Sequence, residues 1–240
     1  AGRMAAGLIR GIQSNGISAC PKHFAVNSQE LRRQASNSVV DERTMRELYL
    51  TGFEIAVREA KPMSIMTSYN EVNGVYAHEN KHLLQEILRD EWGFQGIVMS
   101  DWGADHDRVA SLNAGLNLEM PPSYTDDQIV YAARDGRIQP EQLDRMAQGM
   151  VDLVNKTRAA MSVENYRFDV DAHDEVAHQA AVESMVLLKN DDDILPVAAN
   201  AKIAVIGEFA RTPRYQGGGS SHITPTKMTS FLDTLAERGA

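Results

Sequence analysis

The sequence predicts an α/β protein built on a parallel sheet, followed by the opening of a second α/β domain. Two observations carry this. Short apolar runs alternate with stretches of helical periodicity, four times over within residues 1–161. The runs are apolar at successive positions, as strands are when helices cover both faces of a parallel sheet. A doubly wound sheet and a (β/α) barrel both satisfy the pattern, and four units make half of an eight-stranded barrel.

Each element has its own signal. Residues 1–16 place Met4, Leu8, Ile9 and Ile12 at helical spacing and stop at Asn15-Gly16. Ile17 to Phe24 reads as a short buried strand running into a polar stretch. Asp41 is the expected N-cap of the next helix, whose apolar stripe is Met45, Leu48, Tyr49, Phe53 and Ala56. Pro62 breaks that helix, and Met63 to Thr67 is the second strand. Asn73-Gly74 marks a turn. A further helix carries Leu83, Leu84, Ile87 and Leu88 and ends at Trp92-Gly93. Gly96 to Ser100 is the third strand, a helix surrounds 108–113, and Gly115 to Leu118 is a short fourth strand. Helices are expected over 125–134 and 140–160. Residues 162–175 are polar and irregular, as a linker is. Beyond them come a helix from Glu175 to Lys189, a buried strand over 203–207, a glycine-rich loop over 216–221 and a helix over 226–238.

Composition narrows the partners. The chain has 240 residues, 43% apolar and 24% charged, enough to bury a sizeable core. Its net charge of −9 argues against wrapping nucleic acid, which needs clustered Lys and Arg. No apolar run is long enough to span a membrane. Cys20 is the only cysteine, so neither an internal disulfide nor a Cys-rich zinc site forms, which suits a reducing cytoplasm. In its apolar run Cys20 reads as a small buried hydrophobe, not a nucleophile. The chain opens on Ala1-Gly2-Arg3 without Met, so a native N-terminus upstream is expected. A homo-oligomer is left open.

Polar residues cluster where the strands end. The first strand leads into Lys22-His23, the second into Ser68-Tyr69-Asn70, the third into Ser100-Asp101-Trp102 and the fourth into Glu119. In a (β/α) barrel these ends line one mouth. Asp101 follows an apolar strand and precedes an aromatic and a glycine. It either floors a pocket or caps the next helix. A carboxylate in a pocket can attack an anomeric carbon. It would need cationic and hydrogen-bonding neighbours, for which Lys22 and Tyr69 are candidates. Lys22 and His23 could hydrogen-bond sugar hydroxyls, or be a solvated charge and a core histidine. Trp102 could stack on a sugar face or simply pack in the core.

These residues together carry a resemblance. The stretch Lys22-His23-Phe24-Ala25-Val26-Asn27-Ser28-Gln29-Glu30, then Ser68-Tyr69-Asn70, then the run from Gly93 to Ala104 through Ser100-Asp101-Trp102-Gly103 resembles the β-glucosidase branch of glycoside hydrolase family 3. Asp41-Glu42-Arg43, Glu119-Met120-Pro121, Val186-Leu187-Leu188-Lys189-Asn190 and Ala204-Val205-Ile206-Gly207 match as well, in the same order. The resemblance implies the C-terminal half of a (β/α)8 barrel over 1–161, a linker over 162–175 and the beginning of an α/β sandwich domain over 176–240. It implies retaining hydrolysis of β-glucosides or oligosaccharides through a covalent glycosyl-enzyme. Asp101 is then the nucleophile, with Lys22, His23, Tyr69 and Trp102 at the sugar site. No cofactor and no metal are implied.

Departures from the family pattern bound this reading. The family's Arg-containing glycone motif precedes Lys-His, and its acid/base Glu lies well downstream, so both are expected outside residues 1–240. The piece alone is therefore expected to be inactive. Asn117 stands where the family has Asp. Ala25-Val26-Asn27-Ser28 replaces the Gly-His-Gly-Asp of the N-acetylhexosaminidases, which favours β-glucosides or β-xylosides. His78-Glu79-Asn80-Lys81-His82 matches the zinc-peptidase pattern His-Glu-x-x-His, but it follows a turn, and Asn80 is placed to cap the next helix. A nucleotide-binding module, suggested by Ala204 to Gly207 and Gly217 to Gly219, lacks a phosphate loop. A catalytically dead sugar-binding homologue is opposed by the presence of Asp101.

Overall fold

The computed structural model describes residues 1–198 and 201–238, in two compact units, Ala1–Glu164 and Asn165–Ala240.

In the first unit, helix α1 (Gly2–Gln13) buries Ala6 and Ile9 against Ala56 and Ala60. Gly2 makes this approach possible, because a Cβ there would lie 2.9 Å from the Ile55 Cβ. Strand β1 (Asn37–Ser38) precedes Asp41, whose carboxylate accepts from the Thr44 amide at 2.9 Å and caps α2 (Glu42–Thr44) as expected. Wide π-type turns over Met45–Leu50 then lead into α3 (Thr51–Ala60). These turns shift the register. Met45 and Leu50 are buried, whereas Leu48, expected in the apolar stripe, is 73% exposed. Lys61 ends the helix in the left-handed region before Pro62, as the proline signalled.

Strand β2 (Ser64–Met66) is followed by a hairpin, β3 (Glu71–Val72) and β4 (Val75–Tyr76), turning through Asn73 and Gly74 with φ of 53° and 87°. β1 joins this hairpin in parallel beside β3. A helical run over His82–Glu91 buries Leu83, Leu84, Ile87 and Leu88 and leads to β5 (Ile97–Met99). Helices α4 (Arg108–Ala114), α5 (Asp126–Arg134) and α6 (Pro140–Met161) complete the unit close to their expected bounds.

The sheet that positions the candidate site is a parallel row. β2 pairs with β5 in register Ser64 to Ile97 through Met66 to Met99. Single parallel bridges extend it on both sides, Phe24 to Thr67 and Met99 to Leu118. Residues 17–24 and 115–118 were expected as strands, but only Phe24 and Leu118 pair. Pro21 offers no N–H, so at that position the ladder has only its carbonyl, which accepts from the Met66 amide at 3.2 Å; the Phe24 amide donates to the Met66 carbonyl at 2.8 Å and the Phe24 carbonyl accepts from the Ser68 amide at 2.9 Å. At the fourth position the Asn117 side chain intervenes, its Oδ1 accepting from the Val98 amide at 2.8 Å where a strand backbone would. The core fills the space behind the row. Phe24 meets Phe53 and Trp92 edge-on, with centroids 5.2 and 5.9 Å apart.

In the second unit, α7 (Val170–Ser184) is capped by Asp169, whose carboxylate accepts from the Ala172 amide at 2.9 Å. It begins inside the stretch expected to be a linker and ends before Lys189. The strand expected over 203–207 does not form. Ile206 is 94% exposed, and no other extended run among the described residues of this unit pairs with it. Ser230 caps α8 (Phe231–Glu237), shorter than the helix expected over 226–238. No helix among the described residues is long and apolar enough to cross a membrane.

Candidate active site

Asp101 sits two residues beyond β5, buried, at the end of the parallel row. Its two carboxylate oxygens meet different nitrogens. Oδ1 accepts from the Trp102 amide at 2.7 Å, and Oδ2 lies 3.3 Å from His23 Nε2. The amide orients the carboxylate, and the imidazole stands beside its other oxygen. The alternative role for Asp101, capping the next helix, belongs to Asp107. That side chain accepts from the Val109 and Ala110 amides, both at 2.9 Å, at the start of α4.

His23 stands where Lys22 was expected. Lys22 is exposed and makes no ion pair with Asp101 among the described residues; it faces a cleft between α1 and the turns around Leu48. His23 is held below its ordinary pKa, first by burial. The Asp101 charge opposes this, and Lys22 and Arg33 reinforce it. Tyr69 is buried, and its hydroxyl donates to the Trp102 carbonyl at 2.7 Å, pinning the backbone next to Asp101. Burial and then the Asp101 charge raise its pKa, so it stays a neutral donor. Trp102 itself is 64% exposed, so it is no core residue and its ring is free to cover a ligand.

A polar scaffold sets the loop that carries His23. Ser68 Oγ donates to the Ala25 carbonyl at 2.8 Å. The Asn70 amide reaches the Ala25 and Val26 carbonyls, both at 3.3 Å. The row of strand-end residues thus gathers His23, Tyr69, Asp101 and Trp102 and leaves Lys22 aside. Glu119, the fourth strand-end residue, is committed to Arg108 at 3.3 Å. Arg33 escaped the sequence reading; its guanidinium lies 4.6 Å above the Tyr69 ring. Only its position shortly after the Lys-His stretch could have suggested it. A separate cleft, lined by Lys61, Trp92, Phe94 and Lys156, lies at the opposite ends of β2 and β5 and includes none of the site residues.

The zinc-peptidase pattern does not assemble. His82 opens its helix with Nδ1 2.7 Å from Glu86 and Nε2 3.1 Å from Glu42. His78 is fully buried in the short turn Ala77–Glu79 and faces His106 instead, at 3.3 Å.

Residues 1–153 match the glycosyl hydrolase family 3 N-terminal domain, and residues 185–240 match the family's C-terminal domain. The chain belongs to glycosyl hydrolase family 3. Among family members, an exo-α-(1→6)-L-arabinopyranosidase of Bifidobacterium breve is 69% identical over all of this chain, which spans 33% of that enzyme's length. A β-glucosidase of this family from Bifidobacterium adolescentis, known in crystal structure, is 74% identical with a TM-score of 0.96, over 100% of this chain and 35% of that one. β-Glucosidase 3B of Thermotoga neapolitana, solved with α-D-glucose, is 38% identical with a TM-score of 0.93, over 99% of this chain and 34% of that one. The chain therefore spans about a third of the length of the family 3 relatives it matches.

Proposed function

We propose that residues 1–240 belong to a retaining family 3 glycosidase acting on β-glucosides or oligosaccharides, with Asp101 as its nucleophile. The observation that carries this is the Asp101 carboxylate itself. It is buried at the end of a parallel strand, oriented by the Trp102 amide and flanked by His23, beside an exposed Trp102 side chain. Such a carboxylate can attack the anomeric carbon to form a glycosyl-enzyme ester, which water then opens with net retention. His23 and Trp102 hold the sugar, and Tyr69 positions the backbone between them. The parallel row from Phe24 through β2 and β5 to Leu118 supports a half-barrel for residues 1–161. The general acid/base and the arginine motif are proposed to come from outside residues 1–240. No cofactor enters the reaction.

The glycone has a second reading, favoured by the 69% identity to an arabinopyranosidase. An α-L-arabinopyranoside carries its aglycone equatorially, as a β-glucoside does. It differs at the 4-hydroxyl and lacks the hydroxymethyl group, so the same nucleophile serves both. The test uses the full-length protein with aryl β-glucoside, β-xyloside and α-L-arabinopyranoside. Asp101→Asn should retain less than about a hundredth of the wild-type kcat on the best of them. A 2-fluoro glycoside should label Asp101. A label on another residue, or a variant near wild-type rate, would overturn the assignment.

A further inference from the structure

His78, Glu79 and His106 come together outside the site just described, and their ligand atoms all lie within 4.8 Å of one another. His78 Nε2 is 3.3 Å from His106 Nδ1 and 3.4 Å from a Glu79 oxygen. A tetrahedral ion with bonds of about 2.1 Å sets its ligands about 3.4 Å apart, so two edges already have the length zinc requires. The third pair, His106 and Glu79, lies within 4.8 Å.

Other features fit the same purpose. His78 is completely buried, and its Nε2 faces only the His106 ring and the Glu79 carboxylate. A buried imidazole satisfied on one nitrogen by another imidazole needs a physical reason. The His106 ring is held in place by stacking on Tyr76, with centroids 3.9 Å apart and planes within 11°. Glu79 accepts from the Asp107 amide at 3.1 Å, which orients it. The acids Asp105, Asp107 and Glu71 surround it with like charge, which Arg108 answers only at Asp105. A cation relieves that surplus. His106 is exposed, so water can complete the shell.

We propose that His78 Nε2, His106 Nδ1 and Glu79 bind a divalent zinc-like ion that ties the turn Ala77–Glu79, just after β4, to the loop following Asp101. The two imidazoles bind in their neutral forms, each keeping its proton on the other ring nitrogen, so no proton is created or lost. The ion is remote from His82 and performs no hydrolysis; it braces the segment five residues beyond Asp101.

The test is calorimetric titration of the EDTA-treated full-length protein with zinc chloride. The wild type should bind zinc at a site that His106→Ala weakens on the order of a hundredfold, since loss of even an outer-shell partner costs about ten- to a hundredfold. His106→Ala removes the partner of buried His78 and the stack on Tyr76, so its metal-free melting temperature should fall modestly while unfolding stays cooperative, and only a folded variant is titrated. His82→Ala should bind as the wild type does. X-ray absorption of the zinc form should show two imidazole nitrogens with oxygen ligands. Wild-type affinity in His106→Ala, loss of binding in His82→Ala, or no zinc bound at micromolar concentration would each overturn the assignment.

Discussion

His23 is the ionisable group through which pH reaches Asp101. Burial depresses its folded pKa below that of the unfolded chain, about 6.5, against the pull of Asp101 and with help from Lys22 and Arg33. Just below pH 6.5 the unfolded chain therefore binds more protons than the folded one. Stability from this residue is complete above that value and is lost as pH falls toward the folded pKa. His23→Gln removes this dependence. Urea unfolding of the full-length protein from about pH 7.5 to about pH 5 should show wild type losing stability relative to the variant. A difference that does not change with pH would refute the direction. Asn117 is informative in another way. Its Oδ1 accepts from the Val98 amide and the Arg89 guanidinium, and its Nδ2 donates to the Met146 carbonyl at 3.0 Å. Burial pulls Arg89 down to about 10, and its other partners are the Gly96 and Gly115 carbonyls. Asn117→Ala should thus cost about 2–4 kcal/mol of unfolding free energy by chemical denaturation. A loss under about 1 kcal/mol would mean that water replaces the amide. The sequence marked this position only as a departure from a family aspartate. A carboxylate could not donate to Met146, a difference that only the three-dimensional contact explains.

The elements show where periodicity suffices and where it misleads. Caps, proline stops and the long helices were legible because each depends on neighbours within one turn. Asp41 caps its helix and Lys61-Pro62 ends it as read. The stripe through Leu48 failed because π-type turns over Met45–Leu50 advance the buried face to Leu50. Helical spacing of 3.6 residues cannot anticipate such turns. Leu50→Ala should therefore cost about 2–5 kcal/mol, the price of emptying a closed core position. A denaturation midpoint equal to wild type would restore the regular helix. The strands over 17–24 and 115–118 were misread for a different reason. Their apolar residues do line the row, but Pro21 and the Asn117 side chain supply or withhold hydrogen bonds that a residue pattern does not reveal. The β3–β4 hairpin was legible only as its Asn73-Gly74 turn, since strands of two residues leave no alternation to count. At the site, four of the strand-end residues read from the sequence, His23, Tyr69, Asp101 and Trp102, lie together in the structure. Which of Lys22 and His23 faces the carboxylate depends on how the backbone turns between Pro21 and Phe24, which residue type does not encode.

At the scale of the molecule, each unit presents apolar surface that a finished core would hide. In the second unit Val186, Leu187, Leu188 and Ile206 are exposed, the last two at 91 and 94%. They lie in two stretches that the sequence read as family-like, of which only 203–207 was expected to be buried, so their apolar character was legible while their exposure was not. Burying a side chain of this size contributes about 1.5–3 kcal/mol, and contiguous exposed patches of this kind mark contact surfaces. In the first unit the parallel row ends on both sides in single bridges, leaving backbone groups beyond Phe24 and Leu118 available for pairing. Residues 1–240 expressed alone should consequently self-associate as concentration rises and bind the dye ANS, and they should not hydrolyse aryl glycosides. The full-length protein should bind little ANS at equal concentration. Leu188→Lys combined with Ile206→Lys should reduce ANS binding by the isolated piece, because it removes apolar surface without touching the first unit. Sedimentation showing a monomer that binds no dye would mean that these side chains find cover within the chain itself.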